Sequence, residues 1–269
     1  MFDGVEVGSL LVIVILVAIV AFFYSNLGLG GGQLYVPIMD FLLPVSFLMK
    51  DIVPLSLAFA FVTMISSTYT HSRRHLVHFK IGLQLAVAGL LGVAGGVLFT
   101  SRLPDQVVKG SFATMLVIVA TKMIYDIYKS KKDYTSCPTE FSLRCRLTGM
   151  GVSILTGFLV GSFGIGGGVV SVPLIIYVFK FEPRMAFGTS ALMGAVLTPA
   201  ALFAYWLNSS AGVSIHWPIA LALAPVVLVF AVLGSTWGLA RLKTKSVKTI
   251  FVAGVYLAAA EMIYSLLVH

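Results

Sequence analysis

The sequence predicts an all-α polytopic membrane protein made of two inverted five-segment repeats, with broken or re-entrant helices at paired glycine motifs. Three observations carry this. The chain is 59% hydrophobic and 10% charged, with mean hydropathy +1.02, whereas a soluble domain carries about 25% charged residues. The stretch Gly28-Leu29-Gly30-Gly31-Gly32-Gln33-Leu34-Tyr35-Val36-Pro37 returns as Gly164-Ile165-Gly166-Gly167-Gly168-Val169-Val170-Ser171-Val172-Pro173, with six of ten positions identical in register. Matches also continue beyond the motif. Gly95, Arg102, Leu103, Val108, Lys109, Phe112 and Met123-Ile124-Tyr125 recur at one constant offset as Gly234, Arg241, Leu242, Val247, Lys248, Phe251 and Met262-Ile263-Tyr264. His78-Phe79 faces His216-Trp217 at an offset shorter by one.

Taken in order, Met1 to Ser9 holds Asp3 and Glu6 but no basic residue. A cleaved signal peptide would want a basic start, so Leu10 onward reads as a retained first helix. Ten apolar segments follow: Leu10–Tyr24, Leu34–Met49, Val53–Tyr69, Phe79–Thr100, Val107–Tyr128, Leu147–Phe163, Val169–Phe179, Met185–Leu207, Trp217–Leu239 and Val247–Leu267. A spanning helix needs about 20 residues. The second segment is interrupted by Pro37 and Pro44, and the seventh is little more than half the spanning length. These two are expected to be half-helices or arms of hairpins.

Four glycines in five positions cannot be ordinary helix interior, where each costs roughly 1 kcal/mol relative to alanine. The following Val-Pro belongs at a helix end or in its first turns. Each motif therefore reads as helix, break, new helix. The domains are then 1–128, a basic cytoplasmic linker over 129–146, and 147–269.

Five segments per half is an odd number, so the second half should be upside down. Charge agrees. With both termini outside, fifteen Lys and Arg residues fall inside and only Lys50, Arg102 and Lys109 outside, a strong positive-inside bias. The net charge of +8 is then explained by topology and the anionic inner leaflet of the plasma membrane. No nucleic-acid partner is implied; the lipid bilayer is.

Inverted repeats with interrupted segments in matching places point to a secondary transporter with a midplane site. The paired Gly-x-Gly-Gly-Gly-x-x-x-Val-Pro motifs resemble the TauE/SafE family of sulfite-exporter-type transporters, over nearly the whole chain. That resemblance implies carriage of a small anion, often a sulfur oxyanion or organosulfonate.

The residues suggest how an anion would be held. Helices starting near Gln33 and Val169 would aim their amino termini at a shared space. Each terminus carries unpaired N–H groups and roughly half a positive charge, which makes an anion site without Lys or Arg. The candidate binding residues are Asn26, Gly28, Gly30, Gly31, Gly32, Gln33, Ser56, Ser162, Gly164, Gly166, Gly167, Gly168, Thr189 and Ser190, with Ser25 nearby. Ser56 and Ser190 hold matching places in the two halves. Asp40 and Glu261 are candidates for proton coupling, since an acid at membrane depth is functional by default. The pair Lys122 and Glu261 also reads as snorkelling near helix ends.

Plainer readings stand beside these. Glycine clusters in membrane helices also serve as packing surfaces, and Ser or Thr in apolar helices usually bonds its own backbone. His71, His75 and His78 read as a solvated inner loop. Cys137 and Cys145 have neither zinc nor redox spacing, and no P-loop is present. No cofactor or metal is expected. The remaining alternative is a non-transporting membrane enzyme or assembly subunit in which the glycines only pack helices. The solute, the coupling ion and a homo-oligomeric state stay open. Uncoupled anion flow would run outward, because one negative charge leaving gains about 2.3 kcal/mol per 100 mV.

Overall fold

The computed structural model describes residues 7–44, 47–129, 143–208, 216–238 and 254–265. All regular elements among them are helical. They are α1 (Val7–Leu27), α2 (Gly32–Leu42), α3 (Met49–Arg73), α4 (Phe79–Arg102), α5 (Asp105–Lys129), α6 (Leu143–Phe163), α7 (Gly168–Val178), α8 (Pro183–Leu207), α9 (Trp217–Leu233), a π-helical turn (Gly234–Gly238), and α10 over 254–265. Six of these stretches are long and apolar enough to cross a membrane.

Several boundaries differ from the sequence reading. The segment Leu34–Met49 is not one element. Proline has no N–H and pushes the residue before it out of helical backbone, and Leu43, before Pro44, is extended at φ −84° and ψ 155°. Met49 belongs to α3, which runs from Met49 to Arg73, longer at both ends than Val53–Tyr69. His71 therefore lies on a helix and is fully buried, not in a solvated loop. His75 and His78 do lie beyond α3, His75 exposed and His78 half-buried. Cys145 sits in the first turn of α6, half-buried, rather than in the linker; Cys137 lies outside the described residues. The ninth segment ends in a π-helical turn rather than running on as α-helix.

A π-turn takes up one extra residue. That accounts for the register slip between the halves. A Cβ on Gly96 would strike the Phe158 carbonyl, and a Cβ on Gly234 would strike the Phe22 carbonyl. Phe22 matches Phe158 in the glycine register, and Gly96 matches Gly234 at the offset that relates His78 to His216, so these are equivalent contacts. The packing thus pairs Gly234 with Gly96 rather than with Gly95, its match at the longer offset, and the remaining matches at that offset lie past the π-turn.

Helix packing follows the small residues. On α4, Gly92 and Gly96 admit the backbone of α6, and Gly157 and Gly161 of α6 admit that of α4. A Cβ at any of them would collide with a carbonyl of the partner. Without water in the membrane, such close approach replaces hydrophobic burial as the source of attraction. α1 makes the equivalent pair with α9 and the π-helical turn that follows it, through Gly234 of that turn. Each of these pairs joins one half of the sequence to the other. α3 and α8, also one from each half, pack together at the centre.

The bundle has two distinguishable ends. At one, Ser265 donates to Asp40 at 3.0 Å, the Met49 N–H donates to Asp105 at 2.6 Å, and the Phe47 and His216 rings stack at 4.4 Å. At the other, Arg74 donates to the Thr236 carbonyl at 2.9 Å and the His78 and Phe181 rings lie 5.3 Å apart.

Candidate functional site

The two glycine motifs share one backbone. Gly28, Gly30 and Gly31 have φ of 61°, 79° and 87°, and Gly164, Gly166 and Gly167 have 66°, 70° and 85°. Gly31 and Gly167 cap α2 and α7, which are both 11 residues long. A side chain at either cap would be forced into left-handed backbone, at roughly 1–2 kcal/mol.

The loops meet each other directly. A Cβ on Gly30 would lie 3.0 Å from the Gly166 Cα, and one on Gly166 would lie 3.0 Å from the Gly30 Cα. Gly32 abuts the Gly164 carbonyl, and Gly168 abuts the Gly28 carbonyl. The crossing falls beside Ala60 and Gly194, each one residue before the middle of its 25-residue helix, α3 or α8. The space between the loops is thus closed by backbone in this conformation.

Two hydroxyls brace the crossing. Ser56 of α3 donates to the Gly164 carbonyl at 3.1 Å, and Ser190 of α8 donates to the Gly28 carbonyl at 3.0 Å. Ser171 lies 2.6 Å from Ser190 and back-bonds to the Gly167 carbonyl at 2.8 Å. The serines therefore spend their protons on the opposite loop. This is a firmer structural role than a hydroxyl turned to its own helix.

The N–H groups are left over. The Leu34 and Tyr35 amides reach the Gly31 carbonyl, and the Ser171 amide reaches the Gly167 carbonyl. Among the described residues no acceptor meets the amides of Gly30, Gly31, Gly32 and Gln33, nor those of Gly166, Gly167, Gly168 and Val169. All eight residues are buried. Buried amides are nearly always paired. Each of the two helix starts carries the partial positive charge of such amides.

The other candidate side chains divide. Asn26 and Ser162 hold equivalent places, two residues before each loop. Both are buried, and the Ser162 hydroxyl lacks a hydrogen-bond partner among the described residues. Gln33 is 1% exposed, faces Tyr24, and has neither amide atom in a well-formed hydrogen bond. Ser25 donates to its own helix at Phe22, 3.2 Å away. Thr189 accepts the His78 N–H at 3.0 Å, so it fixes the turn before α4 and stands apart from the loops.

Asp40 and Glu261 are also apart, at the far end of α2. The Asp40 carboxylate, 2% exposed, pairs with Lys109 at 2.8 Å, and Lys109 also reaches Asp105 at 3.5 Å. Glu261 is half-buried, not extended to a surface, and its Oε2 has no hydrogen-bond partner. The Lys122 side chain lies outside the described residues. Sequence reasoning placed Lys109 only among outer charges. Its partner lies three helices earlier in the chain, and nothing local to either residue announces the pair. Ser171 could have been found, since it is the hydroxyl that the second motif carries opposite Tyr35.

Two grooves lie elsewhere. One of about 520 Å³ runs between α3, α8 and α9, past Phe61, Phe203 and Trp217; another of about 480 Å³ lies beside Leu85 and Met150. Both are apolar and open outward, as surfaces that face lipid would be.

Comparison with known proteins gives a consistent result. The sequence model of the family described as Sulfite exporter TauE/SafE matches residues 13–262. The protein named probable membrane transporter protein YunE, from Bacillus subtilis (strain 168), is 26% identical over 280 residues, covering 95% of this chain and 98% of its own. One named probable membrane transporter protein, from Haemophilus influenzae, is 30% identical over 203 residues, covering 73% of this chain and 74% of its own. No solved structure matches.

Proposed function

Because the chain belongs to the Sulfite exporter TauE/SafE family, a family of membrane transporters and not of enzymes, we propose that it is a secondary carrier that exports a small anion across the plasma membrane. The anion is sulfite or another sulfur oxyanion or organosulfonate. The observation that carries this is the set of eight buried, unpaired amides where two helix starts meet. Such a cradle suits an anion with several oxygens. It needs no cationic side chain, so the anion can leave as readily as it arrives.

The chain works as two inverted repeats. Support comes from α2 and α7, each of which returns toward the end from which its preceding helix came. Asp40 of α2 joins the Ser265 and Asp105 end, and Phe179, just past α7, packs on Gly149 near the start of α6. α1 with α2, and α6 with α7, then form re-entrant hairpins, and three crossings complete each half. Both termini face out, as the positive-inside bias requires.

Alternating access follows from the closed crossing. An anion enters only when loop one (Gly28–Gly32) and loop two (Gly164–Gly168) part, and they part toward one side at a time. Asn26, Gln33, Ser56, Ser162 and Ser190 line or brace the opening, while Thr189, apart from the loops, holds the turn before α4. Asp40 and Glu261 are the groups we assign to proton coupling, with Lys109 as their counter-charge. The test is flux from liposomes holding purified protein, with sulfite, sulfate, thiosulfate, taurine and acetate compared. Saturable movement of a sulfur anion is expected. No movement of any of them above empty liposomes overturns the reading.

A further inference from the structure

One buried titratable group has no task in this scheme. His71 lies in the last turn of α3 and is 0% exposed. Its Nδ1 is 2.8 Å from the Ser67 carbonyl and 3.3 Å from the Ser67 hydroxyl. A carbonyl only accepts, so Nδ1 carries a hydrogen and the neutral ring bares a lone pair at Nε2. That nitrogen is buried and unpartnered. The backbone of Asn26, at the end of α1, also faces the ring.

Ser67 and His71 together hold the last turn before loop one. The Ser67 hydroxyl donates to the Ser25 carbonyl at 2.6 Å, and His71 faces the next residue, Asn26. The second half does the same work differently. Gly161 stands to Ser25 as Gly164 stands to Gly28, so the two are counterparts in the glycine register. The Gly161 carbonyl accepts from the Tyr205 hydroxyl at 2.7 Å. Tyr205 in turn stands to His71 as Ser190 stands to Ser56. One loop is thus held through a phenol, which keeps its proton at physiological pH, and the other through an imidazole, the side chain that takes up a proton under mildly acidic conditions.

We propose that His71 is a positioning residue that links uptake of a proton to the position of loop one, and so to anion movement in the carrier on which this reading rests. With Nε2 protonated, the ring donates to the Ser67 and Asn26 carbonyls at once and ties α1 to α3. With Nε2 bare, its lone pair opposes the Asn26 carbonyl, and the end of α1 is free to move with loop one. The proton comes from water at that end of the bundle, and no other bond changes. Among the described residues, Arg74 is the charge that faces His71. Gly188 of α8 packs on its Cβ and brings none, and Ser235, bonded to Thr70 one position away at 2.9 Å, is neutral.

The test does not depend on transport. Amide hydrogen exchange of the purified full chain is followed between about pH 5 and 8, with segment 161–167 as internal reference for the chemical rate. Relative to that reference, protection of segment 25–31 should rise several-fold toward low pH in the wild type. It should be flat in His71→Gln and in His71→Tyr, which copies the other half. Sulfite flux measured in parallel should lose in both variants the part of its pH dependence that follows the exchange of segment 25–31, leaving that of the anion and of Asp40 and Glu261, with KM changed less than about threefold because the amides hold the anion. An exchange profile in either folded variant that keeps the wild-type pH dependence overturns the proposal. Absent flux with the expected exchange pattern would instead sink the carrier reading and leave the latch standing.

Discussion

Ser190 of α8 donates its hydroxyl to the carbonyl of Gly28, 3.0 Å away and on the far side of the sequence repeat. Ser56 of α3 returns the same bond to Gly164, at 3.1 Å. Each half of the sequence therefore positions the glycine loop of the other. Ser56→Ala and Ser190→Ala should each leave a buried carbonyl unpaired, at about 1–3 kcal/mol. Thermal unfolding in detergent should show both variants melting below the wild type. Unchanged melting in both would mean that the braces are idle.

Anion affinity should respond more weakly than stability to the serine variants, by a few-fold to about tenfold, the worth of one neutral hydrogen bond. Substitutions that neutralise Lys50, Arg102 or Lys109 in turn should leave affinity of any folded variant within the same range. Backbone amides do not titrate, so affinity should follow pH only through protonation of the anion. If a single basic substitution abolishes binding while both serine variants bind normally, the helix-start site is wrong.

Gly31→Leu and Gly167→Leu should insert into the membrane but not transport. Both positions need left-handed backbone, at φ 87° and 85°. A Cβ at Gly31 would already come within 2.8 Å of Val20, and one at Gly167 within 3.0 Å of Val160. Flux normalised to membrane-inserted protein is the measurement, and a normal rate from either variant would remove the loops from the pathway.

Lys109→Met should destabilise by about 3–5 kcal/mol, because it strands the Asp40 carboxylate in a site where it is 2% exposed. The double variant Asp40→Asn, Lys109→Met should recover most of that loss. A double-mutant cycle on melting temperature reads it, and purely additive losses would show that the pair is not coupled.

The orientation is open to direct chemistry. Cys137 and Cys145 should both face the cytoplasm, so an impermeant thiol reagent added to intact cells should miss them and label them after permeabilisation. Cys145 in the first turn of α6 is half-buried, so its labelling after permeabilisation should be slower than that of a fully exposed thiol. Rapid labelling of either in intact cells contradicts the inverted topology.

The broken helices were legible because glycine and proline act locally. Four glycines and a Val-Pro forbid a continuous helix whatever surrounds them, and α7, at 11 residues, is as short as the pattern requires. The packed crossing of the loops was not legible, since it depends on which backbones meet. His71 was missed for a different reason. Hydropathy falls after Tyr69, but α3 carries on for another turn against α1 and α8, where polar atoms find partners. The one-step change of repeat offset was visible in the sequence, but only the π-turn at Gly234–Gly238 shows where the extra residue goes.

The pairing of α4 with α6, and of α1 with α9, bears on the order in which the chain is assembled. When the first half has left the ribosome, Gly92 and Gly96 have nothing to close on, because their complement, Gly157 and Gly161, is still to be made. The same holds for Phe22, which waits for Gly234. Domains generally fold as units during synthesis, but neither half here is such a unit. Until the late helices are made, these close approaches of α1 and α4 stay unfilled, so the packing of the first half is completed only by the second.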